Sequence, residues 1–459
     1  MQRTAAQLQQ DVQAIWQAGV NAVDSARLVQ ENIRVADGLL EIAEQQFVLS
    51  DIRRITVIGA GKAGAGMAAG LETALGQALL QQKQVTGLLS VPEDCVRDLQ
   101  TIELAAGRPA GENSPTEQGV QITNRMLGMV DQLGPNDLCI CLLSGGGSAL
   151  LPAPAAGISL TEKQNITAYL SGAGANIEQL NTVRKQLSRI KGGGLLRHAS
   201  GTNLVTLIIS DVLGDPLDVI ASGPTVPNTT TATDALAVLQ QFNVLGRPEF
   251  SGIVRFLEDK AASHSSTPDS LPPSFNYVIG NNAVAVDAAG IEAESRGYSH
   301  AMICSTQMEG PAEEIGIHLA SMALKMRNND GPDCLITGGE PIVHLVEEKK
   351  RGKGGRNQQL VLAALNQFAT ANQSSEGIAF LSGGTDGEDG PTNAAGAWFD
   401  QTTLAEYESK QLDPAGYLTL NDAYHFFQPL NRLIITGPTH TNVCDIRVIV
   451  VDRVQTPVE

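Results

Sequence analysis

The sequence predicts an α/β protein: a doubly wound, mostly parallel sheet first, then a second α/β unit with a mixed sheet. Three observations carry this. From Ile52 onward, short β-branched runs alternate with helical stretches, the pattern of right-handed strand-helix-strand crossovers. Four apolar runs end in glycine-rich polar turns: Leu142-Leu143-Ser144-Gly145-Gly146-Gly147-Ser148, Ile336-Thr337-Gly338-Gly339-Glu340, Phe380-Leu381-Ser382-Gly383-Gly384-Thr385-Asp386 and Ile434-Ile435-Thr436-Gly437-Pro438-Thr439. Ligands of open α/β sheets sit just past the carboxyl ends of the strands, so repeated turns of this kind point to a small-molecule cleft. The last two apolar runs, 432–435 and 446–451, flank a polar turn and read as paired strands, which makes the second sheet mixed.

Taken in order, residues 5–46 carry Leu8, Val12, Ile15, Trp16, Val20 and Val23 at helical spacing and read as two or more amphipathic scaffold helices. Strands follow at 55–58, 85–91, 138–143 and 204–209, with a helix over 62–80. A threonine-rich stretch covers 228–233, and 262–273, rich in Ser, Pro and Asp, is the stronger linker. Alternation resumes at Tyr277-Val278-Ile279-Gly280. A chain of 459 residues suits two or three domains, divided here as 1–235 and 236–459. No repeat of solenoid period is present.

The formal net charge of -18 argues against nucleic acid or an anionic membrane as partner, so an anionic substrate must meet locally placed cations. None of the six cysteines forms a C-x-x-C pair, and Cys139 and Cys141 alternate inside a strand run as core thiols. The start Met1-Gln2-Arg3-Thr4-Ala5-Ala6-Gln7 lacks a signal-peptide layout and no apolar run approaches bilayer length, so a cytoplasmic soluble protein is expected.

Gly59-Ala60-Gly61-Lys62-Ala63-Gly64 follows a strand with the G-x-G-x-x-G spacing. It reads either as an anion site, with Lys62 neutralising a phosphate at the helix start, or as tight packing of strand on helix. The first acids after the next strand, Glu93 and Asp94, come later than a ribose-binding carboxylate would, so the nicotinamide signature is incomplete. Ser144-Gly145-Gly146-Gly147-Ser148 is a phosphate or carboxylate cradle or a plain flexible loop; Ala149 and Leu150 after Ser148 exclude the G-x-S-x-G elbow of a serine nucleophile.

Arg184, Ser188 and Lys191 share a helical face and converge on one anion, unless the face is merely solvated. Asp211 and Asp215 follow a strand as magnesium or hydroxyl-orienting groups do, and equally as ordinary turn residues do. Thr385, Asp386, Glu388 and Asp389 concentrate oxygens suited to a hard cation or to substrate hydroxyls. Gly352-Lys353-Gly354-Gly355-Arg356 ends a glycine loop in an arginine suited to charge neutralisation in phosphoryl transfer. The seven histidines show no metal-ligand spacing, and neither a Walker A pattern nor the H-R-D and D-F-G kinase set occurs.

With these residues in view, the chain resembles the class II glycerate kinases, the glycerate 2-kinase family with a C-terminal MOFRL domain. Matching stretches are Gly59-Ala60-Gly61-Lys62-Ala63, Leu143 to Leu150, Asn181 with Val183-Arg184-Lys185, Lys191-Gly192-Gly193, Ser210-Asp211-Val212 with Gly214-Asp215, and Ala221-Ser222-Gly223-Pro224-Thr225. The second half matches through Thr337-Gly338-Gly339-Glu340, Gly354-Gly355-Arg356-Asn357-Gln358, Gly383 with Thr385-Asp386-Gly387, Asp389-Gly390-Pro391-Thr392, and Gly437-Pro438-Thr439 with Thr441-Asn442-Val443.

The resemblance implies a Rossmann-like N-terminal domain over 1–235 and a C-terminal α/β domain over 236–459 containing the MOFRL region, about 333–455, with the active site in a cleft. It implies ATP- and Mg2+-dependent phosphorylation of D-glycerate to 2-phosphoglycerate, with glycerate as the small-molecule partner and a homodimer as an allowed assembly. It places the family's functional lysine on Lys62 and its arginine on Arg356, with Asp211 completing the catalytic set. Asp211 or Asp386 holds magnesium or orients the glycerate hydroxyl. Substrate and phosphate contacts fall to Gly61, Ser144, Gly145, Gly146, Gly147, Ser148, Asn181, Arg184, Lys191, Glu340, Thr385 and Asp386.

The sequence departs from the family at Arg108-Pro109, where His-Pro is common, at His440 and Cys444, and at Trp398-Phe399-Asp400. The rival reading is an NAD(P)H-dependent hydroxypyruvate reductase, a label the family has carried because the 59–64 turn imitates a dinucleotide site.

Overall fold

Two six-stranded sheets and one three-stranded sheet organise the chain in a computed structural model that describes residues 3–263 and 274–453. Residues 25–279 form one compact unit, and residues 1–24 with 280–459 form the other. This differs from the division by sequence at both ends.

In the unit of residues 25–279, the expected helical run ends early. A helix covers Ser25–Glu31, and the chain then folds into antiparallel strands β1 (Ile33–Ala36), β2 (Leu39–Ile42) and β3 (Gln45–Val48). Ala36 pairs with Leu39 across the two-residue loop Asp37-Gly38, in which both residues have positive φ, 52° and 77°. An Asp-Gly loop with that backbone is a hairpin turn whose twist matches the strands it joins. Helical spacing further upstream masks this signal.

The main sheet of this unit comprises β4 (Arg54–Ala60), β5 (Thr86–Pro92), β6 (Ile102–Arg108), β7 (Asp137–Leu143), β8 (Asn203–Ile209) and β9 (Ser274–Gly280), in spatial order β6-β5-β4-β7-β8-β9. The pairs β4–β5, β5–β6, β4–β7 and β7–β8 are parallel. The chain therefore steps outward from β4 to β6 and restarts beside β4 with β7, so strand order reverses between β4 and β7. β7 is buried along its whole length because helices cover both faces, which is why its sequence is a continuous apolar run. Cys139 and Cys141 lie in this core, and burial pushes the Cys139 thiol up to about 12.

The sequence boundary at 235/236 falls inside the helix Ala232–Gln241. That helix packs with Leu160–Gly172, Ile177–Gln186 and Ser251–Ala262 around Ile166, Leu170, Val183, Leu239 and Leu257, so residues 236–263 stay with the first sheet. The strand expected to open the second unit, around Tyr277, instead forms the edge strand β9. Residues 264–273 of the expected linker lie outside the described residues.

The other unit contains β10 (His300–Cys304), β11 (Cys334–Gly339), β12 (Ile378–Gly384), β13 (Gly396–Asp400), β14 (Leu433–Ile434) and β15 (Asp445–Val451), in order β10-β11-β15-β12-β13-β14. Only β10–β11 is parallel among the paired strands, so the sheet is mixed. The expected pairing of the last two apolar runs does not form. All seven residues of β15 are buried, which demands a central place between β11 and β12, whereas the two half-buried residues of β14 sit at the edge.

The helix Ala5–Ala22, started by a capping box at Thr4 and Gln7, lays Leu8, Val12, Ile15 and Trp16 on this second sheet. Trp16 Nε1 donates to the Gly383 carbonyl at 3.2 Å, and a Cβ on Gly383 would lie 2.9 Å from the indole ring. The chain's first helix thus belongs with its last strands. Among the described residues, no helix is long and apolar enough to cross a membrane.

Candidate active site

At the reversal of strand order, two glycine turns meet. The β4 turn needs its glycines for packing: a Cβ on Gly59 would lie 2.1 Å from the Leu142 carbonyl oxygen, and one on Gly61 would lie 2.0 Å from Ser144 Oγ. Its amides are also engaged. Gly61 N–H donates to Ser90 O at 3.3 Å, Lys62 N–H to Gly145 O at 2.8 Å, Ala63 N–H to Ser144 Oγ at 3.0 Å, and Gly64 N–H to Gly61 O at 3.1 Å. What this turn offers an anion is the Lys62 side chain.

The β7 turn is different. Ser144 N–H is held by Ala60 O and Gly147 N–H by Ser144 O, but the amides of Gly145, Gly146 and Ser148 meet no protein acceptor among the described residues. Gly146 has φ 80°, and a Cβ there would lie 3.1 Å from Arg108 Nη2 and 3.7 Å from Lys62 Cγ. Successive amides in such a turn make an anion-binding concavity, here with Arg108 and Lys62 at its Gly146 end.

The Ser148 end carries a second set of cations. Lys191, 2% exposed, places Nζ 2.7 Å from Ser148 O and 2.5 Å from Ser148 Oγ. Arg184 Nη2 donates to the same hydroxyl at 2.8 Å. Ser148 Oγ and Ser222 Oγ are 3.0 Å apart, and Ser222 donates to Asn181 Oδ1 at 3.3 Å. Ser222 is held there by strained backbone, since Ala221 and Ser222 both have positive φ, 49° and 63°. Burial first, and then the neighbouring cations, push Lys191 well below the usual lysine range. Gly61, Lys62, Ser144 to Ser148, Asn181, Arg184 and Lys191 are therefore brought together in one unit. Asp211 is half-buried on the loop after β8.

The second unit gathers acids around one arginine. Arg356 is the first residue of the helix Arg356–Thr370. Its Nε and Nη2 donate to Asp445 Oδ2 and Oδ1 at 2.7 and 2.9 Å, and Nη1 lies 2.9 Å from Glu340 Oε1. Asp445 arrives by strand register: it is paired with Gly339 at the end of β11 and with Gly384 at the end of β12. The antiparallel β15 starts where both neighbours stop.

Buried Asp389 accepts from the Asn357 and Gln358 amides at 3.0 and 2.9 Å, fixing the helix start, and burial pushes its carboxyl up to about 7. Burial and the nearby Asp445 and Asp386 also raise Glu340, against the pull of Arg356. Thr385 is fully buried, and its hydroxyl donates to Cys444 O at 2.7 Å and accepts from Val443 N–H at 2.8 Å, so it holds the loop that delivers Asp445. Asp386, on the same turn, accepts from Glu388 N–H at 3.1 Å. Sequence reasoning did not single out Asp445; its one signal is an acid opening a strand that is apolar apart from Arg447.

Mg2+ carried by a nucleotide needs only one or two carboxylates besides phosphate oxygens. Each unit offers one such carboxylate, Asp211 in one and Asp386 in the other, half-buried on a turn at a strand end.

Comparisons with known proteins cover both units. The family described as Domain of unknown function (DUF4147) matches residues 11–254, and the MOFRL family matches residues 333–445. The glycerate kinase of Rattus norvegicus is 34% identical over 96% of this chain and 93% of its own length. The D-glycerate 2-kinase of Thermotoga maritima is 39% identical over 86% of this chain and 90% of its own. A crystal structure of glycerate kinase from Thermotoga maritima superimposes with a TM-score of 0.82 at 34% identity, covering 97% of this chain and 99% of that one.

Proposed function

The chain belongs to the glycerate kinase family, and from that premise we propose that it transfers the terminal phosphoryl group of ATP to the 2-hydroxyl of D-glycerate, releasing 2-phosphoglycerate and ADP. The observation that carries the reading is the β7 turn, whose three uncommitted amides sit at the point of strand-order reversal beside Lys62.

In this reading the Gly145, Gly146 and Ser148 amides and Lys62 hold phosphate oxygens, while Arg356 neutralises the charge that develops on the transferred group. The acceptor oxygen attacks the terminal phosphorus, the bond from that phosphorus to the oxygen of ADP breaks, and the hydroxyl proton leaves to a carboxylate, assigned here to Asp211. With Asp211 taking the proton, Asp386 would hold the Mg2+ that accompanies ATP, which would screen phosphate charge. Glu340 is 44% exposed and Asp445 0%, so a phosphoryl oxygen competes with Glu340 for Arg356 Nη1 while Asp445 keeps the guanidinium oriented.

A dinucleotide would need the amides of the 59–64 turn, which are engaged within the fold, so the reductase alternative lacks its central contact. The test is a coupled assay with ATP, Mg2+ and D-glycerate beside an NAD(P)H oxidation assay with hydroxypyruvate, with the product's phosphorylated carbon identified by NMR. Activity in the second assay alone would overturn the kinase reading.

A further inference from the structure

The unit of residues 25–279 buries a cation that the scheme above does not use. Lys163, in the helix Leu160–Gly172, is 7% exposed, and its ammonium meets no carboxylate or other acceptor among the described residues. The acid beside it in sequence, Glu162, is occupied by the capping box with Ser159. Asp218, an acid near this region, is paired with Lys185 at 3.1 Å. The charges that act on Lys163 come instead from another cation, Arg184; with burial, which contributes most, it pushes the lysine down to about 7.

Half-buried Arg184 and buried Lys191 thus meet at Ser148, buried Lys163 stands near enough to both to act on them electrostatically, and none of the three is paired with a carboxylate among the described residues. Burying even one unpaired ammonium is strongly unfavourable, and an apolar side chain of similar length would relieve it. A fold that keeps three of them together is built for an anion that is absent from the protein itself. The anion is compact, because both lysines are more than nine-tenths buried. It also carries hydroxyls, because Ser148, Ser222 and Asn181 line the same spot. The polyphosphate has its own provision at the Gly146 end of the turn, under Lys62 and Arg108.

We propose that this cluster is the carboxylate site of the phosphoryl acceptor, with Arg184 forking the carboxylate, Lys163 and Lys191 neutralising it, and the two serines taking its hydroxyls. The enzyme then selects a small 2-hydroxy carboxylate over a neutral polyol. This rests on the reading of D-glycerate as acceptor, and assigns to Lys163 a specificity role.

The experiment compares the full chain with its Lys163→Met variant by calorimetric titration of D-glycerate and, separately, of ADP, together with thermal melting and steady-state kinetics. Removing an unpaired buried charge predicts a melting temperature equal to or above wild type without ligand. The Kd for D-glycerate rises at least tenfold, the KM rises with it, and the Kd for ADP stays within about twofold. Independently of any variant, D-lactate raises the melting temperature of the wild type and glycerol at the same concentration does not. Unchanged glycerate affinity in the variant, with wild type turning over glycerate, overturns the carboxylate assignment alone. Loss of ADP affinity with glycerate affinity kept hands the cluster to the polyphosphate, and stabilisation by glycerol equal to that by lactate also overturns it. A wild type inert toward glycerate overturns both this inference and the function it rests on.

Discussion

Arg356 and Asp445, 89 positions apart, form a two-pronged ion pair at 2.7 and 2.9 Å in which the carboxylate is fully buried and the guanidinium is one-third exposed. The pair exists because β15 runs antiparallel between β11 and β12, so that its first residue lies where their glycine turns begin.

Asp445→Asn should therefore differ sharply from Glu340→Gln. Breaking a buried pair from one side costs about 3–5 kcal/mol, so Asp445→Asn should melt several degrees lower and lose about a hundredfold in kcat. Glu340 is 44% exposed, so its removal should change stability by less than about 1 kcal/mol and kcat by no more than about threefold. Melting curves and steady-state rates on the two variants check this; equal losses would refute the orienting role of Asp445.

Lys62→Met should lower kcat at least about a hundredfold while equilibrium binding of D-glycerate is kept, because the lysine is assigned to the phosphate side of the turn. Calorimetric titration beside turnover measurements decides it. A variant with wild-type turnover removes Lys62 from the mechanism.

Two glycine substitutions should have opposite signs, and the first tests the close approach of the β4 and β7 ends. A Cβ on Gly59 would lie 2.1 Å from the Leu142 carbonyl oxygen, so Gly59→Ala should destabilise by more than about 3 kcal/mol or abolish folding. Gly128 lies inside the helix Glu117–Val130 with nothing within 4 Å of its Cβ position, so Gly128→Ala should stabilise by about 0.5–1 kcal/mol. Denaturant midpoints for both variants suffice, and a stable Gly59→Ala protein would contradict the packing described.

Acid stability should report on Asp137. Its carboxylate accepts from Arg53 Nε and Nη2 at 2.9 and 2.7 Å, from Arg54 Nε at 3.0 Å and from Gly134 N–H at 2.9 Å. These partners, Arg53 foremost, pull it down to about 2. A depressed carboxylate stabilises the fold above its unfolded pKa, near 4, and loses that contribution as pH falls toward 2. The effect is about 2 kcal/mol by linkage. Urea midpoints measured from pH 5 to 2 should fall for wild type and fall less steeply for Asp137→Asn, which starts less stable at neutral pH.

Much of this was legible in the sequence for a physical reason: where both faces of a strand are covered, as in β4 and β7, the apolar run is continuous and its glycine turn marks the carboxyl end. Lys62 and Ser148 stand out because they sit in such turns, Arg184 and Lys191 because cations cluster there in an otherwise acidic chain, and Arg356 because it ends a glycine loop. Sequence reasoning failed where the deciding contact is distant. β14 and β15 look like a hairpin until β11 and β12 compete for β15. Asp445 gains its meaning only from register. Lys163 sits in an ordinary capped helix, and nothing local distinguishes it from a solvated lysine. The Asp37-Gly38 hairpin was a local signal obscured by the helical spacing before it.

The docking of Trp16 onto Gly383 has a consequence for how the molecule is made. During synthesis the segment 25–279 is contiguous and has all its strands in hand by the time β9 has left the ribosome, whereas the helix Ala5–Ala22 meets its partners only later, first the helix Asn282–Ser295 and then β12 and β15. Until β12 and β15 emerge its apolar face has no sheet to cover. It also means that a fragment begun at residue 280 would expose the strip of sheet that Trp16 and Ile15 normally shield, and should aggregate unless the helix is supplied as a separate peptide.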